Sequence, residues 1–512
     1  MTSELPAGPE LAPSNLTDDQ GSFARTIGMT GLFAVLLGVL ILILNAANAK
    51  LPVELGNNIG FAGIVVGLAM MFFHAARDSD ELVRRLYGFV GGLGLPAAGA
   101  ILSLLPLAIS AAKAAPEGGG PRPLVSLFFP FGWACFLAGL FFLIPFCRLE
   151  TDESQRRYGL MGLGGVGAVL ALLGLAGGLF APSFALTYGV VLALLGLGYL
   201  TALIGQLGGP DAEGYRPALL LGALGGLVFV GALGGSLFVR GYFVPTGLIL
   251  MALGLLYAAT ALLLVSDWQL IVLTRRELAA YFYSPVAYLV LGMTTLIAWL
   301  AYVSFWGEVE GNPVVPEPVV ARMLAGFWGI IPVLFIVPAL TMRLLSEEKR
   351  TGTYEVLVCA PVSETPIVVS KVLAGLAMYL VTWTVWAGFL IAFRMENGKP
   401  YDYRPLLSFA LAITVSGGAF VAMGVFFSAL TRNQIIAAVL TFGGMLVLVF
   451  AYFASFLASP QWQPVWSKVT FLFLWWESLE GRLHLRDVII QLSMAVFWAY
   501  LAVKVLEARR WS

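Results

Sequence analysis

Arg343-Leu-Leu-Ser-Glu347-Glu348-Lys349-Arg350-Thr351-Gly352-Thr353-Tyr354-Glu355-Val-Leu-Val-Cys-Ala-Pro361-Val-Ser363 is a sharply charged stretch set between two apolar runs, 323–345 and 369–393. The chain is 59% hydrophobic and only 11% charged, so a cluster of this density has to sit in water where a membrane helix ends. The stretch therefore decides the fold class, helices that cross a bilayer. It also marks the polar segment where function is to be sought.

Composition supports this reading. The chain has 512 residues, 58 Gly, 13 Trp and 35 Phe, with a mean hydropathy of +0.90. No water-soluble domain hides so much apolar surface. Net charge is zero and the charges lie in short clusters between apolar runs, so there is no electrostatic footprint for nucleic acid. Cys135, Cys147 and Cys359 have neither metal-site spacing nor an even count, and read as reduced thiols.

A helix needs about 20 apolar residues to cross the hydrocarbon core. Runs of that kind occur at 28–46, 59–75, 88–111, 124–146, 159–180, 184–204, 218–238 and 244–265, and then at 284–305, 323–345, 369–393, 406–430, 435–456 and 488–506. The expectation is an all-α integral membrane protein of about fourteen spans, eight in an N-terminal domain over 25–266 and six in a core over 267–512. Residues 1–24, rich in Pro, Ser and acids (Glu4, Glu10, Asp18, Asp19), lack the basic start of a secretory signal and are expected to form a disordered cytoplasmic tail. The Lys and Arg of the breaks favour an orientation with both termini inside; the membrane is expected to be the plasma (inner) one. Glycine pairs at small-xxx-small spacing, Gly174/Gly178, Gly222/Gly226 and Gly231/Gly235, point to close helix packing within one bundle.

Asp267 to Pro285 reads as a helix in the headgroup plane. Trp268, Leu270, Ile271 and Leu278 give it an apolar side, Arg275 and Arg276 a cationic one, and Ser284-Pro285 turns the chain into the bilayer. Catalytic chemistry is poorly supplied. The only Gly-Lys pair, Gly398-Lys399, is followed by Pro400, so the chain has no phosphate-cradling P-loop. His74 and His484 fall in breaks expected on opposite faces, which excludes a shared metal, and no metal site is expected. The spans offer no central ionisable relay. The Glu347-Glu348 pair is expected to be neutralised by its neighbours Lys349 and Arg350.

The charged stretch resembles the cytoplasmic loop of ABC-2 type permeases, the membrane subunits of ATP-driven exporters, on Glu347, Glu348, Gly352, Thr353, Glu355, Pro361, Val362 and Ser363. Two further stretches resemble the same family: Arg275-Arg276-Glu277-Leu278 with Tyr281-Phe282 and Ser284-Pro285, and, near the end, Ser478 to Asp487 with Glu507-Ala-Arg509-Arg510-Trp511, the last being similar to the gliding-motility and copper-enzyme-maturation branch. The resemblance spans about 267–511 and implies a six-helix permease core with an interfacial elbow helix carrying Arg275, Arg276, Glu277, Tyr281, Phe282 and Pro285. It implies an ATPase-coupling loop carrying Glu347, Glu348, Arg350, Gly352, Thr353, Glu355, Leu357, Pro361 and Ser363, with an exposed helix over 352–357. Phe471 to Trp476, too short to span, would be a re-entrant or interfacial helix. The chain would hold no cofactor of its own; ATP and Mg would belong to a separate cytosolic ATPase subunit. A second permease, identical or not, and membrane lipids would be its other partners. Two other readings are a membrane scaffold without transport and an ion-coupled carrier, which would need buried titratable residues.

Overall fold

The computed structural model describes residues 16–47, 53–77, 80–99, 101, 136, 139, 141–149, 153–180, 189–207, 214–239, 241–311, 319–324, 327–353, 363–397 and 404–510. Among these there is no strand. Eleven helices among the described residues are long and apolar enough to cross a membrane, and Ala62–Ala76 is apolar but shorter. The protein is thus an all-α, multi-pass membrane protein. Of the fourteen expected spans, 124–146 falls largely, and 88–111 in its second half, outside the described residues.

The chain forms two compact units, one of residues 1–169 and 196–207, the other of residues 170–195 and 208–512. The first unit contains α1 (Leu16–Ala47), α2 (Val53–Arg77), α3 (Glu81–Leu86), which runs into a π-helical stretch, Tyr87–Gly94, and α4 (Leu143–Leu149). It also takes α5 (Glu153–Phe180) as far as Val169 and α6 (Val190–Leu207) from Gly196. Helix α1 begins at Leu16. Helices α1 and α2 touch backbone to backbone: a Cβ built on Gly67 would lie 2.5 Å from the Gly31 carbonyl oxygen. Cys147 is buried and donates to the Arg156 carbonyl; burial raises its thiol pKa to about 11, which keeps it an unreactive thiol. Cys135 and Cys359 lie outside the described residues.

In the second unit, α7 (Tyr215–Phe238) and α8 (Leu248–Val265) cross at Gly225, where an added Cβ would stand 2.5 Å from the Gly254 carbonyl oxygen. The close approach thus falls on Gly225, whereas Gly226, on the expected spacing, faces open space. Next come α9 (Gln269–Tyr283), α10 (Pro285–Gly311), α11 (Val319–Leu324), α12 (Phe327–Thr341), α13 (Ser346–Thr351), α14 (Glu364–Asn397), α15 (Arg404–Leu430), α16 (Gln434–Leu457), α17 (Gln463–Val469), α18 (Leu472–Leu479) and α19 (Leu485–Arg510). Helices α12, α14 and α15 are the most buried spans, with α10, α16 and α19 more exposed around them. Short α18 does not span. It buries Trp475 edge-on against Trp383 and Phe409, with ring centroids 5.5 and 5.6 Å away, and the indole N–H donates to Ser416 Oγ at 2.9 Å. That hydrogen bond satisfies the one polar atom of an otherwise apolar anchor.

Candidate functional site

The break between α12 and α14 is built around the six-residue α13. Two devices hold its start. Ser428 Oγ, near the end of α15, accepts from the N–H groups of Leu345 and Ser346 at 3.1 and 3.0 Å and donates to the Met342 carbonyl. It thereby satisfies amide donors that a helix start leaves open. Lys349, itself buried, donates to the Ala429 carbonyl at the C-terminal end of α15, where a cation also suits the helix dipole. Gly352 ends α13 with φ 77°, the left-handed conformation glycine adopts without a Cβ penalty.

Both acids of α13 are paired, with cations brought by other segments. Arg343, in the turn before α13, grips Glu347 through two bonds of 2.6 and 3.1 Å and also donates to Ser284 at the α9–α10 turn. Lys371, on the second turn of α14, lies 2.7 Å from Glu348 Oε1 and 3.0 Å from Glu277 Oε2 on α9. Arg276 completes the group at 2.8 Å from Glu277 Oε1 and 3.4 Å from Glu348 Oε1. The Lys371 side chain is 1% exposed and that of Glu277 9%. Burying ions this deeply is tolerated because each faces an opposite charge at hydrogen-bond distance.

The expectation that Lys349 and Arg350 neutralise the acid pair holds only in part: the direct partners are Arg343 and Lys371, the charge of exposed Arg350 also favours the Glu347 carboxylate, and Lys349 donates to α15. Lys371, within the apolar run 369–393, is a buried residue of the helix bundle. On α9, Thr274 and Glu277 are buried and Tyr281 is half-buried, while Trp268, Arg276 and Phe282 are exposed. Tyr281 donates to the Leu340 carbonyl at 2.8 Å, and its pKa is raised, mainly by burial and further by the Glu277 carboxylate, so it remains a neutral donor. Arg275 reaches the Leu264 carbonyl at 3.1 Å and so caps α8.

Of the expected loop residues, Glu347, Glu348, Arg350, Gly352 and Thr353 are clustered at α13, and Ser363 is exposed immediately before α14. Glu355, Leu357 and Pro361 lie outside the described residues, as does most of the expected helix over 352–357. Pro285 opens α10. A cleft of about 190 Å³ runs between α9 and α13, walled by Glu277, Tyr281, Ser284, Arg343, Glu347 and Glu348 among others. At the other end of the core, Glu477, His484 and Asp487 bring ligand atoms within 4.8 Å of one another, a grouping that sequence spacing did not reveal. Lys468 pairs with both Asp487 oxygens at 2.8 and 2.9 Å, so that carboxylate already has a cationic partner.

Residues 315–474 match the family model described as ABC-2 family transporter protein. The matched ABC-2 segment carries Arg343, α13, Lys371 and Ser428. Glu277 and Arg276 of α9 precede it, and α19 follows it. The match names the ABC-2 family and no branch within it. No curated protein and no solved structure matches the chain.

Proposed function

We propose that this chain is the membrane subunit of an ATP-driven exporter of the ABC-2 type, and that a separate cytosolic ATPase docks on α13 and the segment from there to Ser363. Both termini then face the cytosol, the membrane is the plasma (inner) membrane, and two permease subunits, alike or different, pair with two ATPases. The ABC-2 segment supports both export and ATPase coupling. The resemblance of 478–511 to the gliding-motility and copper-enzyme-maturation branch supports reading the chain as an exporter of that branch.

One observation carries this reading: α13 is tied by buried ion pairs and hydrogen bonds to three other helices. Lys371 joins it to α9 and α14, and Ser428 and Lys349 join it to α15. A push on a loose loop would be absorbed by bending. A push on α13 is delivered to packed spans, which exchange between discrete arrangements rather than deforming smoothly. When ATP draws two ATPase subunits together, the docked α13 segments would tilt α12 and α14.

The test is to purify the tagged full-length chain in mild detergent and identify what accompanies it. A stoichiometric ATPase with Walker motifs, whose hydrolysis rate changes on binding the chain, is expected. A monodisperse, folded chain that neither retains such an ATPase nor alters its turnover would overturn the proposal.

A further inference from the structure

Helix α17 (Gln463–Val469) has no buried residue, and residues 459–466, which lead into it and form its first half, are all exposed. Three of them are large apolar groups, Trp462 at 61% exposure, Val465 at 50% and Trp466 at 39%. A helix this short is marginal in water even when built from good helix formers, and only its end, at 467–469, is half-buried. We propose that lipid supplies the missing cover: α17 lies in the headgroup layer of the membrane, with Trp462, Val465 and Trp466 against the acyl chains. This placement needs only the multi-pass fold and not the exporter reading.

Continuity favours lipid over a protein. Helix α16 is long and apolar enough to cross a membrane, its last residues Phe453, Phe456 and Leu457 are exposed, and α17 contacts it. The exposed apolar surface thus runs from the end of a span into α17. Charge points the same way. Residues 457–467 carry none, and the first charge beyond them, Lys468, is engaged by Asp487 at 2.8 Å. Docking by a soluble protein usually draws on charge complementarity, and this face offers none. Tryptophan, by contrast, concentrates at the boundary between acyl chains and water, where the ring is apolar and the indole N–H polar. Aromatic residues gather at this end of the core, with Tyr452 of α16 at 5.1 Å from Phe473 and 5.0 Å from Trp476 of α18 between ring centroids. Through Thr470, an anchored α17 also holds the start of α18, whose Trp475 is buried against Trp383 and Phe409.

The experiment uses the full-length chain in phosphatidylcholine nanodiscs, with Cys135, Cys147 and Cys359 replaced by alanine and a nitroxide attached at Val465→Cys. Saturation EPR reads collisions of the label with oxygen, which partitions into the bilayer, and with a water-soluble nickel chelate. A label at Phe450→Cys, on the exposed face of α16, is the lipid control, and one at Arg482→Cys, exposed in the turn before α19, is the water control. The ratio of oxygen to nickel accessibility at 465 is expected to stand severalfold above that at 482 and at or below that at 450. Trp462→Cys repeats the reading should Val465→Cys not fold. A ratio at 465 equal to that at 482 puts α17 in water and overturns the proposal. Low accessibility to both reagents means that protein covers the face, a second copy or another partner, and overturns it as well.

Discussion

Lys371 on α14 holds Glu277 on α9 at 3.0 Å, two residues 94 positions apart whose side chains are almost wholly withdrawn from solvent. Removing one partner of such a pair strands the other, which is the costly case for buried ions. Lys371→Met is therefore expected to destabilise the core by on the order of 3–5 kcal/mol, read as a lowered melting temperature in detergent. Adding Glu277→Gln should restore part of the loss. A double variant no better than Lys371→Met alone would show that Glu348 carries the pairing.

Ser428 does the work of an N-cap from a distant helix, serving two amides of the Leu345–Ser346 start. Ser428→Ala leaves them buried without an acceptor and is expected to cost about 0.5–2 kcal/mol. Hydrogen exchange should locate the effect: the amides of Leu345 and Ser346 lose protection and those of α16 do not.

Much of this architecture was legible in the sequence for identifiable reasons. Apolar length set the spans, so 406–430 and 435–456 correspond to α15 (Arg404–Leu430) and α16 (Gln434–Leu457). The Ser284-Pro285 step set the end of α9 at Tyr283, because a residue before proline leaves the helical region. The partners of the acids were not legible. Lys349 and Arg350 adjoin Glu348 in sequence, but its direct partners are Lys371 and Arg276, and which distant cation arrives depends on tertiary packing. One signal was available: Lys371 continues the buried stripe of Ile367, Val368, Ala374 and Met378, which places it inward at helical spacing. The metal-like grouping of Glu477 with His484 and Asp487 depends on how α18 turns into α19, which spacing alone does not encode.

Tyr281→Phe deletes the hydroxyl that donates to the Leu340 carbonyl. The expected loss is about 0.5–1.5 kcal/mol. Because the folded-state pKa is raised above the ordinary tyrosine value, this contribution is complete at and below neutrality. It declines only as the pH rises through the ordinary tyrosine range toward the raised value. The stability difference between wild type and Tyr281→Phe should thus be flat across the neutral range. A difference that varied there would point to the surrounding ion pairs instead.

The last expectation concerns which part of the chain recruits the ATPase. Glu277, Arg343, Glu347, Glu348, Lys371 and the loop residue Glu355 all lie beyond residue 266. In this proposal the preceding helices are not needed for docking, so residues 267–512 expressed alone should still retain the ATPase. The truncation removes one contact of the docking region, since Arg275 would lose the Leu263 and Leu264 carbonyls it now caps. Residues 208–512 keep that cap along with α7 and α8, and serve as the matched control. Glu355→Lys, introduced into either piece, should weaken the complex by reversing a charge at the interface. If 208–512 binds and 267–512 inserts and folds but does not, the α7–α8 pair belongs to the docking machinery and the division at 266 is misplaced. If both bind and Glu355→Lys has no effect, the ATPase presses on α13 without engaging the loop beyond it.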